Sequence, residues 1–400
     1  MQEAGQKARH EHRCDVVVVG LGAMGASTLY QLARSGADVI GIDRFAPPHD
    51  QGSSHGDTRI TRLAVGEGAA YIPLVRRSHV IWRELEAESG DALFEQCGVL
   101  VMTSSDAPAR HHGAEDFTGH TIELARNYGI GHEVLNASQI RARFPQFGPV
   151  RNDAIGYFEP EGGFVRPEKC IAAQLETARK LGAAVITGET VSSIESEGGV
   201  VRVKTGDRIV VANKAVVCAG MWSANLLGEP FSALLKVCRQ KLFWFKLEEP
   251  SIFPQPSPTF ILSHGRSELD ICYGFPPISG EGSMKIATEQ YTALDAVDAI
   301  DRTVSDEEVA QMVQSHLAGN FAGVTPELVK AAVCTYTVTP DYGFIIDDHP
   351  ALANVIVVSA CSGHGFKHSA GIGEAVAQRT LTGQSDVDLS AFSLDRFSAP

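Results

Sequence analysis

The sequence has no cluster of basic residues and no long apolar run. Its 400 residues carry a formal net charge of −14, with 34 Lys and Arg against 48 Asp and Glu. Nucleic-acid and anionic-membrane binding usually require a basic patch, so neither partner is expected. The longest apolar runs have the length of a strand, which predicts that no helix spans a membrane.

Cysteine pairs and metal-ligand spacings are also missing. The eight cysteines are scattered without a CxxC pair, which in a chain of this length indicates free thiols in a reducing cytoplasm. No HExxH or other metal-ligand spacing is present, so no metal site is predicted. Residues 1–13 lack the apolar segment of a secretory signal and predict a disordered tail.

Residues 15–43, DVVVVGLGAMGASTLYQLARSGADVIGID, have the order strand, glycine motif, helix, strand and acid. Val16–Val19 predicts a parallel strand buried on both faces. The glycines that follow permit a tight turn, close approach of a pyrophosphate and close packing of the helix. These glycines are Gly20, Gly22 and Gly25.

The second half of this unit supplies the remaining groups that a nucleotide requires. A helix over 23–35 presents its N-terminal amides to phosphate, and a strand over 38–42 leads to Asp43. The Asp43 carboxylate can accept the hydrogen bonds of a ribose diol. The unit predicts a nucleotide cofactor and leaves NAD and FAD as alternatives.

The length of the chain predicts two domains. The strand–glycine–helix pattern returns near residue 215 and again over 355–381, so the nucleotide domain is expected to be discontinuous. The predicted class is α/β, or α+β overall, with a Rossmann-like nucleotide domain and an inserted antiparallel-sheet substrate domain. The nucleotide domain is assigned to 14–92, 150–225 and 330–395, and the substrate domain to 93–149 and 226–329.

Several side chains outside the nucleotide unit are candidates for chemistry. Arg59 and Arg62 lie in a polar loop, where they either pair with a carboxylate or phosphate or are solvated. Lys285 lies in a strand-like pattern and is either an edge charge or a buried cation. Cys334 has apolar neighbours, which favour an inert core thiol over a reactive one. Lys367 lies at a glycine-rich turn and points either into a cleft or to the surface.

Five segments together carry a family resemblance: DVVVVGLGAMG, GSSHGDTRITR, YGFPP, AAVCTYTVTPDYGFIID and SGHGFKHSAGIGE. Through them the chain, over about 14–397, resembles the monomeric sarcosine oxidase and N-methyltryptophan oxidase group of FAD-dependent amine oxidases. This group lies within the D-amino-acid oxidase superfamily. The resemblance implies FAD, oxidation of a secondary or N-methyl amino acid or similar carboxylate-bearing amine, and release of H₂O₂ from O₂. It also implies a monomer.

The resemblance assigns roles at the reactive end of the cofactor. Cys334 corresponds to an attachment cysteine, joined to the 8α-methyl group of the flavin as a thioether. Arg59 and Lys285 correspond to cations on opposite faces of the isoalloxazine. Lys285 is then the site of oxygen activation, because a positive charge stabilises developing superoxide.

The resemblance also implies how substrate and cofactor are bound. Arg62 and Lys367 correspond to a clamp on the substrate carboxylate, and Tyr273 and Tyr336 to pocket walls. The implied cofactor contacts are Gly20, Gly22, Met24, Gly25, Asp43, Arg44, Ser54, Thr58, Val191, Gly363, His364, Phe366 and Lys367.

One position departs from the family pattern. Glu289 stands where sarcosine oxidase is expected to carry a histidine, four residues after the oxygen-activating lysine. Glu289 either favours a more cationic or hydroxylated amine or points away from the substrate. Three other functions remain as alternatives: an amine dehydrogenase with a partner acceptor, a non-catalytic flavoprotein and, on the first motif alone, an NAD-dependent dehydrogenase.

Overall fold

The computed structural model describes residues 10–103, 111–113, 115–265, 267–278, 281–294 and 296–398. Its strands form three sheets, with helices packed mainly against the first. The helices are α1 Ala23–Arg34, α2 Ile72–Ser89, α3 Phe117–Asn127, α4 Ala137–Arg143, α5 Pro167–Lys180, α6 Ser223–Leu227, α7 Phe231–Leu234, α8 Asp306–Met312 and α9 Ser369–Thr382.

The first sheet belongs to the predicted nucleotide domain. Its strands are β1 His10–Val19, β2 Val39–Asp43, β9 Ala184–Thr187, β10 Ser193–Glu197, β11 Val200–Lys204, β12 Arg208–Val217, β18 Ile345–Asp348 and β19 Val355–Ser359. They follow the order β10-β11-β12-β1-β2-β9, while β19 pairs with β12 and β18 with β19. Strand β1 pairs in parallel with both β12 and β2. Its apolar run is buried on both faces, as predicted, because Val16 and Val18 pack into one apolar cluster and Val17 and Val19 into another.

Helices α1, α2, α5 and α9 cover one face of this sheet with a shared apolar core. Small residues allow α1 and α9 to approach closely. A Cβ at Gly373 would lie 2.0 Å from Ser27 Oγ, so a larger residue there would separate the two helices. This packing fixes the N-terminus of α1, which faces the nucleotide cleft.

Strand β1 begins earlier than predicted. Its first residues pair with Arg208–Ala212 of β12, which has the length to extend the parallel ladder towards the N-terminus. The prediction of a disordered tail over 1–13 is therefore wrong for residues 10–13. Residues 1–9 lie outside the described residues.

The second sheet provides the predicted substrate domain. Its strands are β5 Val99–Thr103, β6 Glu133–Asn136, β7 Ile155–Glu159, β13 Lys236–Leu247, β14 Thr259–Ser263, β15 Ile271–Phe275, β16 Ser283–Ala287 and β17 Val324–Val338. The order is β17-β13-β16-β15-β14-β5-β7-β6. All neighbours are antiparallel, as expected for this domain, except β14 and β5, which pair in parallel. These two strands come from separate segments, and no hairpin constrains their direction.

The predicted domain boundaries stay predictions. Two strands of the second sheet nevertheless fall wholly or in part within segments that were assigned to the nucleotide domain. Strand β7 falls within 150–225 and β17 extends past residue 330, yet both pair into the second sheet. Strand β17 is long enough to continue along β13 into the cofactor region, where it places Cys334 and Tyr336.

The third sheet is small and has three strands. It consists of β3 Arg59–Thr61, β4 Phe94–Glu95 and β8 Gly163–Val165. It positions the segment that carries Arg59 and Arg62. The predicted α/β class is confirmed. Among the described residues, none of the helices combines the length and the apolar character that a membrane span needs.

Candidate active site

A cleft of about 360 Å³ opens at the carboxyl ends of the parallel strands β1, β2, β12 and β19. Ligands of open α/β sheets bind at this edge, because the loops and helix N-termini converge there. The predicted cofactor and active-site residues that line the cleft are Gly20, Gly22, Met24, Asp43, Arg44, Ser54, Arg59, Val191, Tyr336, Gly363 and Phe366.

The three glycines of the first motif fit a dinucleotide for different reasons. Gly20 has φ +85°, and a Cβ there would lie 2.5 Å from Cys218 O. A Cβ at Gly25 would lie 1.7 Å from Gly20 O, so only glycine lets α1 begin this close to β1. At Gly22 the nearest atom to such a Cβ is 3.7 Å away, which leaves its backbone open to a pyrophosphate. The cleft therefore fits the predicted FAD.

Asp43 lies at the end of β2 and is 6% exposed. Its two carboxylate oxygens accept hydrogen bonds from Leu21 N and Phe45 N, each at 2.7 Å. These bonds hold the carboxylate at the edge of the cleft, where the predicted ribose contact requires it.

The Lys285 side chain is buried, and its strand β16 lies between β13 and β15, so Lys285 is not a surface charge on an edge strand. Its Nζ donates to Gly56 O at 2.5 Å, Thr58 O at 3.0 Å and Thr58 Oγ1 at 3.2 Å. Burial and the neighbouring charge of Arg59 lower the pKa of Lys285 well below its usual value. Arg59 donates to Thr58 O and Ser53 O at 2.8 and 2.7 Å. Thr58 thus joins the two predicted cations.

Cys334 is 1% exposed and lies on β17, opposite Gln240 of β13. Burial raises the pKa of its thiol, while the charges of Arg59 and Lys285 oppose that shift. The structure therefore brings together the cysteine and the two cations named from the resemblance. Neither Cys334 nor Lys285 is among the described residues that line the cleft.

A second cavity of about 60 Å³ adjoins the cleft and shares several of its residues. Tyr273 OH lies 3.2 Å from Tyr336 OH on its wall. The predicted residues that line this second cavity are Arg59, Arg62, Tyr273, Glu289, Tyr336, Gly363, His364, Phe366 and Lys367. The predicted substrate residues thus share one cavity beside the predicted flavin position.

Glu67, which the sequence reasoning missed, lies between the two predicted clamp residues. Its carboxylate is 3.0 Å from Arg62 NH2 and 3.3 Å from Lys367 Nζ. Burial would raise the pKa of Glu67, but Lys367 and Arg62 hold it well below the usual range. The two cations consequently have an internal counter-ion. The only signal for it was an acid five residues after Arg62.

Glu289 points into this cavity and not away from it. Its Oε2 lies 2.8 Å from His112 Nε2, and Tyr291 OH donates to the same oxygen at 2.7 Å. The charges of Glu289 and Glu67 raise the pKa of His112 to about 9, although burial alone would lower it. His111 and His112 were also missed, and the only indication in the sequence was that two histidines stand side by side.

The peptide that carries Arg62 is held by a buried carboxylate. Leu63 N and Ala64 N donate to Glu159 at 2.6 and 3.1 Å, and Tyr157 OH donates to it at 2.6 Å. Burial raises the pKa of Glu159, because few charges compensate its desolvation. Glu159 therefore fixes the backbone directly after Arg62 and, through it, the position of the Arg62 side chain. No sequence motif indicated this contact.

The fold also gathers groups of metal-ligating type, although no metal site was predicted. One group is His264, Cys272 and His316, and another is His111, His112 and Glu289. In the first, His264 Nε2 lies 3.0 Å from His316 Nδ1, within hydrogen-bond distance. Proximity alone does not require an ion, so the prediction of no metal site stays a prediction.

Comparison with known proteins decides the family. The model of the FAD dependent oxidoreductase family matches residues 15–379. The chain belongs to this family. It is 38% identical to a monomeric sarcosine oxidase of Bacillus sp. (strain NS-129), covering 96% of each protein. It is 33% identical to an N-methyl-L-tryptophan oxidase of Escherichia coli O81 (strain ED1a), covering 96% of this chain and 99% of that protein.

A solved structure shows the same fold. NikD, an amino acid oxidase essential for nikkomycin biosynthesis, superposes with a TM-score of 0.81 at 21% identity, covering 96% of this chain and 97% of that one. The family and its relatives confirm the predicted FAD-dependent oxidation of C–N bonds in amines. They also remove the NAD-dependent alternative. The roles of individual residues stay predictions.

Proposed function

We propose that the protein oxidises a secondary or N-methyl amino acid, or a similar carboxylate-bearing amine, with O₂ as the electron acceptor. The observation that carries this proposal is the pair of buried cations, Arg62 and Lys367, in a cavity that adjoins the FAD cleft. The two cations share the single carboxylate of Glu67, so one positive charge of the pair is left for a substrate carboxylate to neutralise. The relatives named for sarcosine and N-methyltryptophan support the same class of substrate.

The chain's own residues would orient the substrate and exclude water. Arg62 and Lys367 would bind the carboxylate in competition with Glu67, and Tyr273 and Tyr336, which line the same cavity, would enclose the amine end. When bound, FAD would accept two electrons and two protons from the CH–NH unit of the amine, which becomes C=N, and would pass them to O₂. The products are an imine, which water hydrolyses, and H₂O₂.

The cofactor is expected to be held at both ends. The glycine motif and Asp43 would bind the ADP half, and Cys334 would hold the flavin through a thioether. Arg59 and Lys285 would supply positive charge near Cys334. Both donate to Thr58 O, and Arg59 also donates to the backbone oxygen of Ser53, whose hydroxyl lies 3.2 Å from Thr335 Oγ1. Such charge stabilises electron density that moves towards O₂.

The proposed setting is a monomer in the reducing cytoplasm, with a small amine and O₂ as its reaction partners. None of the eight cysteines, all of which the structure describes, forms a disulfide, and the sarcosine oxidase relatives are named monomeric. Free thiols are typical of a reducing compartment.

A matched panel tests the proposal. The holoenzyme is assayed for H₂O₂ with sarcosine, N-methyltryptophan, pipecolate, proline and glycated amino acids. Each is compared with the amine that lacks its carboxylate. At least one carboxylate-bearing member should give H₂O₂ while its matched amine gives little. Flavin reduction without H₂O₂ under air would instead indicate a dehydrogenase.

A further inference from the structure

Glu289 uses only one of its two carboxylate oxygens within the protein. Tyr291 OH, His112 Nε2 and His111 Nδ1 all approach Oε2, at 2.7, 2.8 and 3.6 Å. Among the described residues, no hydrogen bond or ion pair engages Oε1. One oxygen is therefore fixed by neighbouring side chains, and the other is left for a ligand.

The position of Oε1 shows where that ligand would lie. Oε1 is 3.2 Å from the point that a Cβ on Gly363 would occupy, and the ring of Tyr336 is 2.9 Å from the same point. Glu289, Gly363 and Tyr336 all line the small cavity, and Gly363 and Tyr336 also line the cofactor cleft. Oε1 thus faces the boundary between the substrate cavity and the flavin.

The cavity carries opposite charges at two ends. His112 lies between the two carboxylates, with Nε2 2.8 Å from Glu289 and Nδ1 3.5 Å from Glu67. Glu67 in turn contacts Arg62 and Lys367. Glu289 and the cation pair are therefore connected through His112 and Glu67, and all of them line one cavity of about 60 Å³.

We propose that Oε1 of Glu289 binds the cationic amine of the substrate while Arg62 and Lys367 bind its carboxylate. The protein would then select zwitterionic amino acids over carboxylates of the same shape whose other end is uncharged. This inference rests on the proposed function, because it assigns the second end of the same substrate. It gives Glu289, the departure from the family pattern, a specificity role.

Two ligands of equal shape test the inference without turnover. Dimethylsulfonioacetate and 3-methylbutanoate both carry a carboxylate and a branched end with two methyl groups, but only the first carries a positive charge there. Their dissociation constants for the holoenzyme are measured from the change in flavin absorbance. We expect the sulfonium ligand to bind about tenfold more tightly, because a charge pair in a buried site is weakly screened.

Variants locate the source of that preference. Glu289→Gln keeps the shape and removes the charge, so the ratio of the two constants should fall towards one through loss of sulfonium binding. Glu289→Asp keeps the charge and should retain part of the preference, even if the Gln variant folds poorly. Glu307→Gln, on the exposed first turn of α8, is the matched control and should leave the ratio unchanged.

The outcomes separate this inference from the proposed function. Equal affinities in the unmodified enzyme, or an unchanged ratio in Glu289→Gln, overturn the inference even if amines are oxidised. Tighter sulfonium binding in an enzyme that oxidises no amine supports the inference and contradicts the proposed function. Failure of both ligands to bind contradicts the carboxylate clamp and overturns the inference with it.

Discussion

Arg62 and Glu67 form a buried ion pair at 3.0 Å, with side chains that are only 2% and 4% exposed. Lys367 shares the same carboxylate at 3.3 Å. An incoming substrate carboxylate must therefore compete with Glu67, which already neutralises one of the two positive charges. Glu67 stabilises the two cations when no substrate is bound, and it therefore competes with any carboxylate ligand for them.

Glu67→Gln should relieve this competition. The variant is expected to bind 3-methylbutanoate about tenfold more tightly, because the ligand becomes the counter-ion of Arg62 and Lys367. Without ligand it should be less stable to heat than the unmodified enzyme, since both cations lose their partner. Flavin absorbance titration and thermal unfolding with and without ligand measure the two effects. An affinity equal to or weaker than that of the unmodified enzyme would contradict the competition.

Carboxylate binding should weaken as the pH rises through about 8. Burial lowers the pKa of Lys367 to about 8, so this cation is fully charged below that pH and loses its proton above it. The dissociation constant of 3-methylbutanoate should therefore increase between pH 7 and 9. Lys367→Arg is the control, because arginine stays charged in this range. A flat profile in the unmodified enzyme, or the same slope in both proteins, would count against the assignment.

Lys285→Met should slow reoxidation of the reduced enzyme by O₂ about a hundredfold, while reduction by substrate changes much less. The physical reason is the loss of a positive charge beside the flavin. Stopped-flow measurement of the two half-reactions distinguishes the effects. Lys330→Met is a matched control, because Lys330 and Lys285 lie 4.6 and 5.3 Å from the same Trp244 ring, but Lys330 is half-exposed. Equal slowing of both half-reactions in Lys285→Met would refute oxygen activation.

Covalent attachment predicts that flavin fluorescence remains with the polypeptide after acid precipitation and denaturing electrophoresis. Cys334→Ser should release the flavin under the same conditions. Cys361 is the useful comparison, because it lines the cofactor cleft and Cys334 does not. Cys361→Ser should therefore retain the attached flavin. Release of flavin from the unmodified chain, or retention in Cys334→Ser, would exclude the proposed bond.

The local parts of the fold could be predicted from the sequence. The strand, glycine motif and helix of residues 16–34 are contiguous, and each depends on its own periodicity and backbone freedom. The extension of β1 to His10 was missed, because its polar residues are paired by β12, which lies far along the chain. The parallel direction of the β5–β14 pair could not be predicted for a similar reason, since no local turn determines it.

The candidate site shows a similar contrast between residues that belong to sequence motifs and residues that do not. Family motifs named Arg62, Lys285 and Lys367, and the structure buries all three. Glu67 and His112 carry no motif and acquire their importance only when distant segments meet around Lys367 and Glu289. Charge compensation inside a cavity depends on three-dimensional contacts, so a single sequence gives little indication of it.

Anaerobic titration of the holoenzyme with a carboxylate-bearing secondary amine tests the central claim most directly. We predict that the flavin absorbance bleaches with one equivalent of amine, and that admission of air restores it with one equivalent of H₂O₂. Two-electron reduction of FAD and its reoxidation by O₂ require this stoichiometry. If none of the secondary and N-methyl amino acids in the panel bleaches the flavin, the assignment as an amine oxidase of this substrate class is contradicted.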